Sequence, residues 1–441
     1  MKRIATYVFF LLLLPALAYA VDTEATGTTI LRFEERSVPG FEKQKAVPAT
    51  QFVGVDVDKI GGGNLSLHLF GWGRVDLADR STDERTTDGN LTYGYLLYRL
   101  PKANGQVKAG RFFIYEGAAA EQIDGVSARA DLARGFALAL FAGAPVRLDR
   151  ANDNRGDYIG GGRLSYRLPG ILELGVSALH EGGVDTGGTI DAATGTKTDV
   201  KNYRQLVGGD IWLSPHRMVE LNGHTFYSTA TEGIAEHGYL VTVRPLNVLS
   251  VSGTYDEARF RHYFATTGFP RTGPNSLFNP ETGDKIRSYG ISATWIIARP
   301  VEVTADYKRY NYQRDGHGNA ARYGGEARLL LLDNKVRAGL SYHRTDNEAS
   351  GVNSYHEVRG YGLYNAGRYF ASADLIVHFY DDTIYSKDTA YELAASAGYR
   401  IMPNLTLSGD LSYGENPRLT TEVRGLVKLT YNFTSESKGA R

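Results

Sequence analysis

Ten histidines are the first candidates for chemistry: His68, His180, His216, His224, His237, His262, His317, His343, His356 and His378. No two have the close spacing of a metal-binding helix or turn, so they are expected in lumen, loop or interface positions and not around a metal. Serine, histidine and aspartate are all present, but no G-x-S-x-G elbow raises a nucleophile. Gly160, Gly161 and Gly162 are followed by Arg163 and Leu164, not by the Lys-Ser/Thr pair of a phosphate loop. In a strand such glycines allow a bend or a close approach. Arg155-Gly156-Asp157 spells an adhesion tripeptide, and three-residue matches arise readily by chance; it is read as loop chemistry. The absence of cysteine removes thiolate metal sites and C-x-x-C-H haem attachment from this chain. The expectation is a protein that is not an enzyme, with no catalytic, cofactor-binding or metal-binding residue of its own.

What remains is a set of charged side chains of both signs: Glu302, Asp306, Lys308, Arg322, Glu326, Arg328, Arg337, Asp374, Asp410, Arg424 and Lys428. They recur every second residue. Val301, Val303, Ala305 and Tyr307 interleave with Glu302, Thr304, Asp306 and Lys308, and residues 336–343, 369–379, 405–413 and 423–433 repeat the pattern. A period of two is the mark of a strand with one apolar and one polar face. The charged set is therefore expected to line a lumen, whose mixed signs imply no strong anion or cation preference.

The connections alternate as the strands do. Short ones occupy 99–105, 133–135, 168–170, 214–217, 244–247, 298–300, 332–335, 365–368 and 402–404; longer, more variable ones occupy 77–88, 144–155, 182–201 and 264–284. Short turns on one side and longer loops on the other are the wiring of an up-and-down transmembrane barrel. The expected fold is all-β, a transmembrane antiparallel up-and-down β-barrel spanning 21–441. It has about 22 strands if 28–36 is the first and about 20 if the N-terminal region stays outside. Tyr93, Phe113, Tyr115, Tyr166, Tyr255, Tyr307, Tyr342, Tyr413, Tyr431 and Phe433 stand near strand ends, where an interfacial girdle is expected.

"ADLARGFALALFAGAP" (130–145) has a composition that suits a helix. Its alternation says strand: Phe136, Leu138, Leu140 and Ala142 on one side, small residues on the other. Ten residues are too few for a spanning helix and enough for a tilted strand.

Met1-Lys2-Arg3, an apolar run from Ile4 to Leu17 and Ala18-Tyr19-Ala20 form a secretory leader, expected to be cleaved after Ala20. Removing Lys2 and Arg3 takes the balanced 49 basic and 49 acidic residues to a net charge of −2, which argues against nucleic acid as partner. The expected location is the outer membrane, with its lipid as one partner. Large receptors of about 22 strands carry a plug before the first strand; here strands begin by residue 50, so no plug domain is expected.

The segment "GRFFIYEGAAAEQIDGVSARADLARGFALALFAGAPV" (110–146) resembles outer-membrane porin-like proteins of metal-reducing bacteria, through its Gly-Arg strand, its Ile-Asp-Gly and its glycine-ended return strand. Some members of that family are the barrel component of porin–cytochrome conduits. The resemblance implies a sheath around a periplasmic multihaem cytochrome that hands electrons to an outer-surface cytochrome and on to extracellular acceptors. Haem would then belong to the partners. It transfers no functional residue. A passive diffusion porin for small hydrophilic solutes is the alternative reading, and a substrate-specific channel or export pore a third. The solute, the partner's identity and the oligomeric state are not legible in the sequence.

Overall fold

The computed structural model describes residues 22–435 apart from 38–43, 62, 79–85, 147–156, 186–199, 260–261, 263–264, 267–284, 314–317, 349–352 and 419–420. The leader 1–20, Arg155-Gly156 and most of the loops at 77–88, 144–155, 182–201 and 264–284 lie outside the described residues.

One antiparallel sheet contains 24 strands, of which two are short pieces, Gln44–Ala46 and Ala265–Thr266; the other 22 form the wall. The first wall strand is Asp22–Ser37, longer at both ends than the expected 28–36. It pairs with Pro48–Ile60 on one side and with the last strand, Thr421–Ser435, on the other, from Thr23↔Ser435 to Ser37↔Thr421. That second ladder closes the barrel. Closure is what lets such short segments cross hydrocarbon, because a closed ladder leaves no sheet edge exposed to lipid.

The two faces separate by chemistry. Large apolar side chains stand exposed on the outer face, among them Val126 at 53%, Leu140 at 52%, Leu340 at 62% and Leu411 at 60%. The charged residues alternate with them on the inner face. Residues 354–364 are ambiguous by pattern, since Val358-Gly360-Gly362-Tyr364 and Arg359-Tyr361-Leu363 both suit lipid. Register decides it: Leu340 pairs with Gly360 and Ser341 with Arg359, so the Arg359 set faces inward.

Two expectations are corrected here. Tyr93, Phe113 and Tyr115 are not part of the outer girdle. Tyr93 is on the inner face, opposite Phe70, and Phe113 and Tyr115 belong to a hairpin that leaves the wall. That hairpin also overturns the plugless barrel: part of the lumen is filled by this chain itself.

The outer face makes a direct prediction. Leu140 is at the middle of Phe136–Pro145 and points to lipid. Leu140→Arg should cost about 2–4 kcal/mol of stability, the penalty for a cation near the bilayer midplane. Urea unfolding in lipid vesicles measures it, and an unchanged midpoint would contradict the outward placement.

Candidate functional site

The hairpin Gly105–Glu116/Ala119–Asp131 starts in the wall and then turns into the lumen. Strand Thr87–Leu100 pairs with it only from Leu100↔Gly105 to Gly94↔Arg111. Beyond that point the hairpin doubles back. In a straight ladder Glu116, opposite Ala119, would stand about 33 Å from Arg129, ten residues away at ~3.3 Å each. Instead Arg129 Nη1 donates to Glu116 Oε1 at 3.2 Å. The tip is fixed three strands further along the wall, where the Ala118 N–H donates to Ser177 Oγ at 3.0 Å.

The bend is made by glycine. Gly110 has φ +129°, a conformation that side chains disfavour, and a Cβ there would lie 2.3 Å from the Gly94 carbonyl oxygen. Its register partner Gly125 is equally crowded: a Cβ there would stand 2.2 Å from the Ala142 carbonyl oxygen. Polarity inverts at these two residues. Before the bend, Gln106 and Lys108 face inward and Val107 and Ala109 outward; after it, Phe112, Ile114 and Ile123 take the inward parity and Arg111, Gln122 and Asp124 the outward one.

Folding a flap inward lays its inner face on the inner face of the wall. Phe112, Ile114, Ala118, Ala119 and Ile123 accordingly pack with Phe141, Ile159, Leu179, Leu206 and Ala235 in one buried apolar cluster. Burying whole aliphatic and aromatic side chains stabilises this by about 1.5–3 kcal/mol each. The small inward face of Phe136–Pro145, with Ala139 only 6% exposed, makes room for the flap. A buried ion pair adds direction: Arg204 donates to Glu121 of the hairpin at 2.5 Å and to Glu181 at 2.9 Å. The flap's other face carries Phe113 and the 74%-exposed Tyr115 toward the open lumen, with stacked rings 6.2 Å apart.

Where the flap leaves, the edge of Thr87–Leu100 loses its ladder partner. Side chains replace it. The Arg111 guanidinium donates to the Leu91 carbonyl at 3.1 Å and is held by Asp124 at 2.7 Å, while the Gln122 amide donates to the Thr92 carbonyl. The Gly-Arg and Ile-Asp-Gly motifs of the sequence are thus the hinge and the seal of one structure.

The rest of the inner wall carries a lattice of ion pairs, most of them across strands and some along one strand. Arg322 joins Asp306 and Glu357, each at 3.3 Å, and His343 Nε2 lies 2.9 Å from Asp306. Arg328 joins Glu302 at 3.1 Å and Glu326 at 3.3 Å. Arg359 holds Asp374 at 2.5 Å, Lys308 lies 3.8 Å from Asp256, and Arg424 joins Glu422. Arg337, Asp410 and Lys428 share this face and make no ion pair among the described residues. Sequence reasoning missed the partners Glu357, Arg359 and Glu422, and on the far wall Arg163, which bridges Asp210 at 2.5 Å and Glu173 at 3.0 Å. Among the described residues no group of three His, Asp or Glu could hold a metal.

A recess of about 560 Å³ lies in the wall across the closure seam, lined by Arg32, Phe52, Arg74, Asp374, Asp410 and Arg424. From Phe52 an aromatic lane runs along the inner face through Phe70, Tyr93 and Tyr95 to Phe112 of the flap, with ring centroids 6.3, 5.5, 5.9 and 6.1 Å apart.

No family model and no curated protein matches the chain. Solved structures do. The ferric enterobactin receptor PfeA of Pseudomonas aeruginosa matches over 94% of this chain and 81% of its own, with a TM-score of 0.59 and 10% identity. The siderophore receptor PirA of the same organism matches over 93% and 80%, at 0.59 and 10%. The copper transporter OprC matches over 94% and 81%, at 0.57 and 12%. These barrels belong to receptors and transporters, a second reason why the plugless fold class does not stand. The likeness at this identity is one of fold, and it makes this chain a 22-strand antiparallel β-barrel of the outer membrane.

Proposed function

We propose that this chain is the wall of an outer-membrane transport pathway whose lumen holds a large occupant and not an open column of water. The observation that carries this reading is the inner surface. Most of its charges are paired with one another along and across strands, and one side is covered by an apolar-packed flap, so little field is left to select small ions. The occupant that the sequence resemblance implies is a periplasmic multihaem cytochrome. In that role the chain does no chemistry; it keeps the haem groups apart from lipid and seals the membrane around them. Uptake of a ligand bound to the wall is the second reading, and the recess at Arg32, Arg74 and Asp374 with its aromatic lane favours it. A passive porin is the least supported, because the barrels of similar fold belong to receptors and transporters.

Gentle detergent purification of the tagged chain from its own outer membrane tests the proposal. A visible haem spectrum and haem-stained partner bands in stoichiometric amount are expected. A colourless single band that conducts ions steadily in a planar bilayer would overturn it.

A further inference from the structure

Most charge on the outer rim is balanced. At the loop end of Tyr355–Ala366 and its neighbours, Arg344 is held by Asp346 at 2.6 Å and by Asp381 at 2.5 Å. Arg309 pairs with Glu348, whose carboxyl is held below the usual range by hydrogen bonds from Asn319 and Arg309.

One place departs from that balance. On the outer face of Leu249–Arg259 and Lys285–Ala298, Glu257 is contacted by three cations: Lys285 at 2.8 Å, Arg259 at 3.0 Å and Arg287 at 3.0 Å. Among the described residues Glu257 is the one carboxylate that these three cations contact, an excess of two positive charges within the knot. Glu257 is buried beneath them, whereas the Arg259 and Arg287 side chains are 39% and 38% exposed. Its register neighbour across Gly233–Leu246 is His237, which adds no negative charge.

Position defines the ligand. Tyr239, Tyr255 and Tyr289 are consecutive cross-strand partners on the same outer face, and Tyr255 donates its hydroxyl to Glu257 at 2.8 Å. Tyrosines of this kind mark the level of lipid headgroups. The knot lies two to four register pairs beyond them, at the end opposite the chain termini and short turns, which is the external end of a barrel. Exposed arginines there present forked donors matched to phosphate oxygens.

We propose that the Arg259–Lys285–Arg287 knot binds the phosphorylated headgroup of an outer-leaflet lipid. Glu257 is the spacer that holds the three cations together in the absence of the lipid, and the tyrosine row packs on the lipid's upper acyl region.

Native mass spectrometry of the detergent-purified chain, titrated with bisphosphorylated lipid A, tests this. Wild type is expected to hold the lipid at least tenfold better than R259Q/R287Q, and dephosphorylated lipid A is expected to bind both equally weakly. Heat-modifiable mobility shows that each variant is folded. E257Q, which removes the one negative charge, is expected to hold the lipid as well as or better than wild type. Equal retention by wild type and R259Q/R287Q overturns the proposal. So does displacement of the lipid by millimolar inorganic phosphate, which would make the knot a site for free anions.

Discussion

Arg204→Ala is expected to release the inturned hairpin while leaving the barrel closed. Arg204 is 6% exposed and holds Glu121 of the hairpin and Glu181 of the wall together. Removing the cation strands two carboxylates beside each other in a poorly hydrated place. Breaking a buried pair in this way costs about 3–5 kcal/mol, on the order of a hundredfold or more in the docked fraction. The barrel ladders do not pass through this contact, so heat-modifiable mobility should persist. Protease cleavage between residues 112 and 123 should rise sharply, and current through the isolated chain in a planar bilayer should become larger and noisier. Arg204→Met combined with Glu121→Gln and Glu181→Gln removes the charges together and should restore much of the protection. If Arg204→Ala is as protected as wild type, apolar packing alone docks the flap.

The wall was legible because its physics is local. A strand with lipid on one side and water or polar side chains on the other must alternate, and residues 301–308 and 405–413 do so. Strand facing is undecided by pattern where both parities suit lipid, as in Tyr355–Ala366; there the partner strand supplies what the pattern lacks, since Arg359 finds Asp374 across the ladder. The ion-pair lattice was half visible. Charges of both signs could be read off, but which carboxylate meets which cation depends on register between strands, and Arg359 was hidden by that same ambiguity. The flap was missed, although its signal is present. Gly110 and Gly125 read only as parts of the Gly-Arg and Ile-Asp-Gly motifs, and Phe113 and Tyr115 as girdle residues near a strand end. The informative feature was the inversion: Arg111, Gln122 and Asp124 occupy the parity that should face lipid, and Phe112, Ile114 and Ile123 the parity that should face water. An uncompensated charge in the lipid-facing row cannot be tolerated by a straight wall strand, so the inversion marks the point where the chain leaves the wall.

The hinge should be the most sensitive position in the barrel. A side chain at Gly110 must adopt φ +129° and place its Cβ 2.3 Å from the Gly94 carbonyl oxygen. The backbone cost alone is about 1–3 kcal/mol, and overpacking against a backbone that cannot yield adds roughly 1–3 kcal/mol. Gly110→Val is therefore expected to lower the folded fraction after refolding into lipid vesicles by tenfold or more, read as loss of the heat-modifiable band. Straightening the hairpin does not offer a way out. It would carry Arg111, Gln122 and Asp124 into the lipid-facing row and strip Phe141, Ile159 and Leu179 of their apolar partners. Gly362→Val is the matched control, because Gly362 is a wall glycine on the outer face with nothing within 4 Å of its Cβ position, and it should refold as wild type does. Equal yields from Gly110→Val and Gly362→Val would mean that the bend at Gly110 is not required for assembly.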